Sequence, residues 1–194
     1  FFYRFLIAYT GIWVISPKRL FTGNWKDELW LVAGGIFGGS LYFFTENTAL
    51  GITQASNVSF IICTAPLLTT ILSLLFYKSE KASKGLIYGS LLALMGVGLI
   101  VFNGSFVLKI SPIGDLLTLL AALSWAFYSL IIKKMAGRYP TVFITRKIFF
   151  YGVLTILPAF LLHPLQPDTA VLLQPGILFN LLFLAVLASL ICYV

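Results

Sequence analysis

Charged side chains are scarce in this chain: Asp, Glu, Lys and Arg together make up 10% of its 194 residues, against about a quarter in a soluble domain. A single water-soluble core cannot account for that composition. Histidine is nearly missing, with His163 alone, at a helix end before Pro164. The two cysteines, Cys63 and Cys192, both lie inside apolar runs and read as small packing residues, with neither a disulfide nor a zinc site. No HExxH, CxxC, phosphate loop or paired acidic metal motif occurs. Catalytic constellations are therefore lacking, and no metal or other cofactor is expected. Period-two alternation, the mark of a membrane barrel, is absent as well.

What remains is apolar. The chain is 60% hydrophobic with a mean hydropathy of +1.01, and its runs are long enough to cross a bilayer, which takes about 20 residues as helix. An all-α, polytopic membrane protein is the fold class this implies. Seven segments are expected: Phe1–Ser16, Leu29–Leu50, Ala55–Tyr77, Gly85–Phe102, Ile113–Ile132, Val142–Leu162, and one beginning near Gly176. The chain opens at Phe1 and stops inside an apolar run at Val194, as expected of an internal piece of a longer protein, so no signal peptide can be judged.

The net charge of +7 follows topology rather than nucleic acid. Lys18, Arg19 and Lys26 follow the first segment, Lys78, Lys81 and Lys84 the third, and Lys133, Lys134 and Arg138 the fifth. The intervening loops hold Lys109 alone. By the positive-inside rule the loops near 17–28, 78–84 and 133–141 are cytoplasmic. Asp27 and Glu28, among the lysines of the first of these, read as a solvated, charge-balancing pair. Arg4, Arg146 and Lys147 begin helices and are expected to snorkel to the headgroups. Asp115 suits the first turn of its helix.

An internal repeat is visible as a trace. Arg4, Tyr9, Gly11 and Pro17 align with Arg146, Tyr151, Gly152 and Pro158, and Ser40-Leu41 with Ser189-Leu190. The offset is five segments, and an odd number inverts the second copy in the membrane.

Glu46 is the residue that most invites a function, because an ionisable group at membrane depth costs upward of about 2.5 kcal/mol. At 100° per residue, Gly35, Gly39, Tyr42 and Glu46 form one stripe, and Gly34-xxx-Gly38 with Gly35-xxx-Gly39 allows close helix approach. Glu46 reads either as a proton- or ammonium-binding group or as a carboxylate that holds the helix turn through Gln54 or Asn57. Its neighbour Asn47 suits a bond across helices. Ser56, Ser59, Cys63, Pro66, Thr70 and Ser73 share a face, with Pro66 as a flex point; this face either lines a cavity or packs against another helix. Trp125, with Tyr128 beside it, lies mid-segment and either stacks on a substrate ring or packs.

The stretch YFFTENTALGITQASNVSFIICTAPLLTTILSLLFYKSEKASKGLIYGSLLALMGVGLIVF resembles the first EamA domain of the drug/metabolite transporter superfamily. The resemblance rests on the turn Asn47–Leu50, on Pro66 and Glu80, and on a helix with Gly85, Gly89, Gly96 and Gly98; Gly114–Lys134 resembles the opening helix of a second such domain. It implies inverted repeats of five helices each, with residues 1–104 and 112–194 as parts of the two. It further implies alternating-access export of small metabolites, amino-acid-like or amphipathic, without enzymatic activity. Tyr42, Glu46 and Ser59 then fall on helices that line the family's cavity. A small-molecule substrate, a coupled proton and the lipid bilayer are the expected partners; a homodimer is left open, and nucleic acid is not expected. The alternatives are a membrane-embedded enzyme acting on lipid or isoprenoid substrates and a non-transporting scaffold assembled through GGIFGG.

Overall fold

The computed structural model describes residues 2–15, 17, 21–77, 84–102, 111–162 and 173–192. Lys18, Arg19, Lys78, Glu80, Lys81, Lys109, His163 and Pro164 lie outside the described residues. The described chain is helical, with no strand, and each of the seven apolar segments contains helix. α1 is Phe2–Ile15; α2, Trp25–Gly35, runs through a π-helical stretch at Ile36–Ser40 into α3, Leu41–Leu50. α4 (Ala55–Ile62) and α5 (Ala65–Phe76) follow, then α6 (Lys84–Phe102), α7 (Pro112–Ala136), α8 (Thr141–Ile156) and α9 (Ala159–Leu162). α10, Pro175–Leu182, continues as a second π-helical stretch at Phe183–Ile191.

Several of these limits have visible local causes. Asn24 starts α2 four residues before the apolar run, its Oδ1 accepting from Lys26 N at 3.1 Å, a standard N-cap. The third segment is interrupted at Cys63–Thr64, and Pro66 falls in the first turn of α5, where its missing N–H leaves no bond unmade. Thr64 hydroxyl donates to Ile61 O at 2.7 Å across that turn. Asp115 Oδ2 accepts from Ser111 N at 3.2 Å, closing the first turn of α7 as its position suggests.

Ala55–Phe76 and Pro112–Ala136 are long and apolar enough to cross a membrane, and Ile87–Gly96 and Pro175–Ile191 are shorter apolar helices. Leu75, Leu99 and Phe179 are each about two-thirds exposed or more, as side chains facing acyl chains would be.

Two compact units emerge, Phe1–Ser40 with Ile131–Val194, and Leu41–Leu130. In the second, Gly98 lets the Phe60 ring come to 3.2 Å from the position a β-carbon would take. Gly114 lies against Thr53 in the same way. Ala121, Ala122, Ala126 and Thr118 bury the small face of α7 completely.

In the first unit, α2 and its π stretch pack on α8, α8 packs on α1, and α1 packs on the second π stretch. Glycine makes this approach possible. A β-carbon on Gly39 would lie 2.9 Å from Gly152 Cα, one on Gly34 2.5 Å from Ile148 Cδ1, and one on Gly35 against Tyr151 and the Gly152 backbone. The π stretch re-aims the helix, so the stripe expected of a straight α-helix through Gly35, Gly39, Tyr42 and Glu46 is interrupted at Ile36–Ser40. Ser40 Oγ bonds Thr155 Oγ1 at 2.8 Å just beyond the crossing.

Gly39→Ala is expected to lower the thermal midpoint of the full-length protein in detergent, because overpacking of this kind costs about 1–3 kcal/mol. Gly96→Ala, which meets nothing within 4 Å, should leave the midpoint unchanged or raise it. Equal responses would contradict the close α2–α8 crossing.

Candidate functional site

Two groups of polar and aromatic side chains stand out, one in each unit. In the Leu41–Leu130 unit, Tyr42 and Glu46 are one helical turn apart on α3, and the Tyr42 hydroxyl donates to Glu46 Oε1 at 3.0 Å. The Tyr42 ring lies 4.9 Å from the Trp125 ring, and Trp125 lies 5.0 Å from Tyr128. A period of 3.6 places Trp125 and Tyr128 three residues apart on one face of α7. Tyr42 and Tyr128 are buried, while Glu46 and Trp125 are half-buried. Four residues singled out from sequence thus form one carboxylate-and-ring cluster. Such a cluster can attract an organic cation by ion pairing and by the negative faces of the rings.

The remaining candidates are placed differently. Asn47 is exposed, and its amide donates to Phe43 O of its own helix at 2.7 Å rather than across helices. Ser59 is exposed on α4, Cys63 is half-buried at the turn that ends α4, and Pro66 is exposed at the start of α5. Both cysteines are free thiols. Among the described residues, no group of His, Cys, Asp or Glu could hold a metal ion.

The other group was misread from sequence. Asp27 and Glu28 are not a solvated pair: Asp27 is 4% exposed, and the Glu28 side chain is 13% exposed. Adjacent positions on a helix point about 100° apart, so each carboxylate engages a different element. Asp27 Oδ1 accepts from Arg138 Nη1 at 2.6 Å. Its Oδ2 accepts from Tyr139 OH at 2.9 Å and from Asn24 Nδ2 at 3.3 Å. Glu28 Oε1 accepts from Lys147 Nζ and from Tyr151 OH, and Oε2 from Thr22 N at 3.1 Å and Thr22 Oγ1 at 2.9 Å.

Nor does Lys147 snorkel. It is fully buried, its ammonium 4.8 Å from the centre of the Phe21 ring and 5.2 Å from that of Tyr151. Arg146 is buried as well, against Phe143, and Arg4 Nε donates to Ser189 Oγ at 2.6 Å. For Lys147 and Arg4 the physical reason is plain: Glu28 and Ser189 on neighbouring helices lie within reach, so these charges need not travel to the headgroups. One signal in the sequence pointed here: two consecutive carboxylates, Asp27 and Glu28, complement cations at 138 and 147.

Beside Glu28 opens a cleft of about 430 Å³ walled by Phe21, Trp25, Leu29, Val32 and Tyr151. Since both Glu28 oxygens are already filled, this cleft presents mainly rings and aliphatic chains.

Burial tends to raise the Glu28 carboxyl, but the bonds from Lys147, Tyr151 and Thr22 outweigh it and hold it below the ordinary value of 4.5. A group lowered in the folded state contributes stability above its unfolded value that is lost as pH falls through the folded one. The thermal midpoint should therefore drop as pH falls from about 4.5 downward, and Glu28→Gln should flatten that fall. Lys147→Met alone should cost about 3–5 kcal/mol by leaving a carboxylate unpaired, whereas Glu28→Leu with Lys147→Met should recover most of the loss. Additive losses in the double variant would contradict a buried pair.

Comparison with known proteins gives a consistent result. Residues 1–102 and 112–194 each match the EamA-like transporter family. A protein of Archaeoglobus fulgidus named as an uncharacterized transporter is 29% identical over 197 residues, covering 100% of this chain and 66% of its own length. A second from the same organism, with the same name, is 27% identical over 168 residues, covering 86% of this chain and 56% of its own. The uncharacterized transporter YdfC of Bacillus subtilis is 33% identical over 128 residues, 65% of this chain and 40% of its own. No solved structure matches the chain. The chain spans less than two thirds of the relatives' lengths, and its family matches cover nearly all of its own: it belongs to the EamA-like transporter family, whose members are multi-pass membrane proteins.

Proposed function

We propose that the protein is a secondary transporter that exports small metabolites, amino-acid-like or amphipathic and bearing an ammonium group, by alternating access across the cytoplasmic membrane. The loops near 17–28, 78–84 and 133–141 face the cytoplasm. The observation that carries this reading is the Tyr42–Glu46–Trp125–Tyr128 cluster, found in a chain whose family and relatives are transporters.

The chemistry is direct. A carboxylate held by a tyrosine hydroxyl, with that tyrosine's ring leading on to Trp125 and Tyr128, favours a cation that also carries apolar surface. Ammonium and proton compete for the same carboxylate, so Glu46 exchanges one for the other between the two facing states. That exchange couples export to proton entry.

Support comes from topology as well. Arg138 and Tyr139 reach Asp27, so the loops near 17–28 and 133–141, assigned to one side of the membrane by their basic residues, meet in the structure.

Full-length protein expressed in cells is compared with its Glu46→Gln and Trp125→Ala variants by untargeted measurement of metabolites in the medium. A compound enriched by the unmodified protein is expected, with enrichment reduced at least about tenfold in Glu46→Gln, since one unpaired charge contact is worth about 1.4 kcal/mol or more. The residual flux should lose its pH dependence. Equal, fully pH-dependent export by Glu46→Gln would remove Glu46 from the mechanism.

A further inference from the structure

The Asp27–Glu28 cluster is not used by the substrate chemistry above, and its geometry differs from that of a binding site. Glu28 has two oxygens and four donors, Lys147 Nζ, Tyr151 OH, Thr22 N and Thr22 Oγ1. A carboxylate so filled has little capacity left for a ligand. What it does is join three parts of the chain: the connection before α2, α2 itself, and α8. Asp27, the residue before it, joins α2 to Arg138 and Tyr139 in the connection between α7 and α8.

These bonds are not needed merely to keep α2 against α8. The glycine crossing does that two turns further along, where Gly35 and Gly39 admit Tyr151 and Gly152 to direct backbone contact. Nor is a buried ion pair an efficient source of stability, since an apolar pair of similar volume generally does as well or better; its best-attested use is in registry and switching.

We propose that Glu28 and Lys147 form a state-dependent latch. It is closed in this structure, and it releases α8 from the start of α2 when this end of the Phe1–Ser40 and Ile131–Val194 unit opens during transport. The inference rests on the transport reading.

Two features fit a latch that can reopen. When Glu28 leaves, Lys147 still has the faces of Tyr151 and Phe143 on its own helix, at 5.2 and 5.8 Å, to hold its ammonium. When Lys147 leaves, Glu28 keeps the two Thr22 donors. Each partner is thus stabilised apart as well as together, as a two-state element requires. The carboxyl of Glu28 is held low by these bonds after burial has raised it. The latch is opened by movement of α8. Asp27, Arg138 and Arg146 are the other charged groups near the pair, and the Asp27–Arg138 bond remains as a second tether.

The test uses full-length protein with every native cysteine, Cys63 and Cys192 among them, replaced by alanine and a single reporter, Ile148→Cys. Ile148 is 2% exposed and lies against Gly34, between the latch and the crossing. Open membrane fragments are treated with a charged maleimide, so that both faces are reached, and the labelling rate is read. With the pair intact, labelling should be slow. Glu28→Gln should raise the rate about tenfold or more, the response to losing about 1.4 kcal/mol of closing free energy. The exchanged pair, Glu28→Lys with Lys147→Glu, should bring it back toward the slow rate.

An unchanged rate in Glu28→Gln would overturn the latch. So would an exchanged pair as reactive as Glu28→Gln, because the faster labelling would then come from damaged packing. Flux through the unmodified protein, followed in sealed vesicles, tests the transport reading separately. Absence of flux sinks that reading, while the labelling rates alone decide the latch.

Discussion

How closely two helix backbones can approach governs the unit formed by Phe1–Ser40 and Ile131–Val194. In lipid there is no hydrophobic drive to press helices together, so close packing and polar contacts between them carry the association. Gly39 and Gly152 bring α2's π stretch and α8 nearer than any larger residue permits. That approach then decides what the neighbouring side chains can do. It lays Tyr151 beside Glu28, brings Lys147 to the same oxygen, and sets Ser40 against Thr155. With bulkier residues at the crossing, these groups would lie too far apart to bond, and Lys147 would need water or a headgroup instead.

The trace of repetition in the sequence has a counterpart in these contacts. Gly11 and Gly152, aligned as matching positions, each lie at a helix crossing, Gly11 against Leu190 and Gly152 against Gly39. Ser40 and Ser189, also aligned, each belong to a π-helical stretch. Exchanging the matched segments turns the packing of α8 on the first π stretch into the packing of α1 on the second, and both packings are present. The π turns are costly local geometry, and their occurrence at aligned serines supports a common constraint. In each case the serine hydroxyl bonds outside its own turn, to Thr155 in one and from Arg4 in the other.

Helix content and the positions of the apolar segments were legible in the sequence because they depend on composition and run length alone. The breaks at Cys63–Thr64 and Leu157–Pro158 were foreshadowed by Pro66 and Pro158, though not located by them. The carboxylate-and-ring cluster was legible in part: Tyr42 and Glu46 by helical spacing, Trp125 and Tyr128 by their mid-segment position. Their meeting was not, since it depends on how α3 and α7 are brought together. The largest misreading concerned Asp27, Glu28, Arg146 and Lys147. Charges near a predicted membrane boundary are ordinarily solvated, and the partners that bury these lie more than a hundred residues away in the chain. Only packing set by glycines could reveal them.

The two prominent carboxylates are held in unlike ways. Glu28 is held by four donors from its own unit, and its charge is compensated before any ligand arrives. Glu46 accepts from the Tyr42 phenol, whose ring packs on Trp125, itself beside Tyr128. The Tyr42 bond and the rings of Tyr42, Trp125 and Tyr128 suit the cation-binding role proposed for Glu46, and four donors from three parts of the chain suit the tethering role proposed for Glu28. A transporter needs both kinds of group: one whose charge balance changes with its cargo, and one that holds helices together until they must part. The elements each carboxylate is bonded to, more than its position in the sequence, separate the two proposed roles.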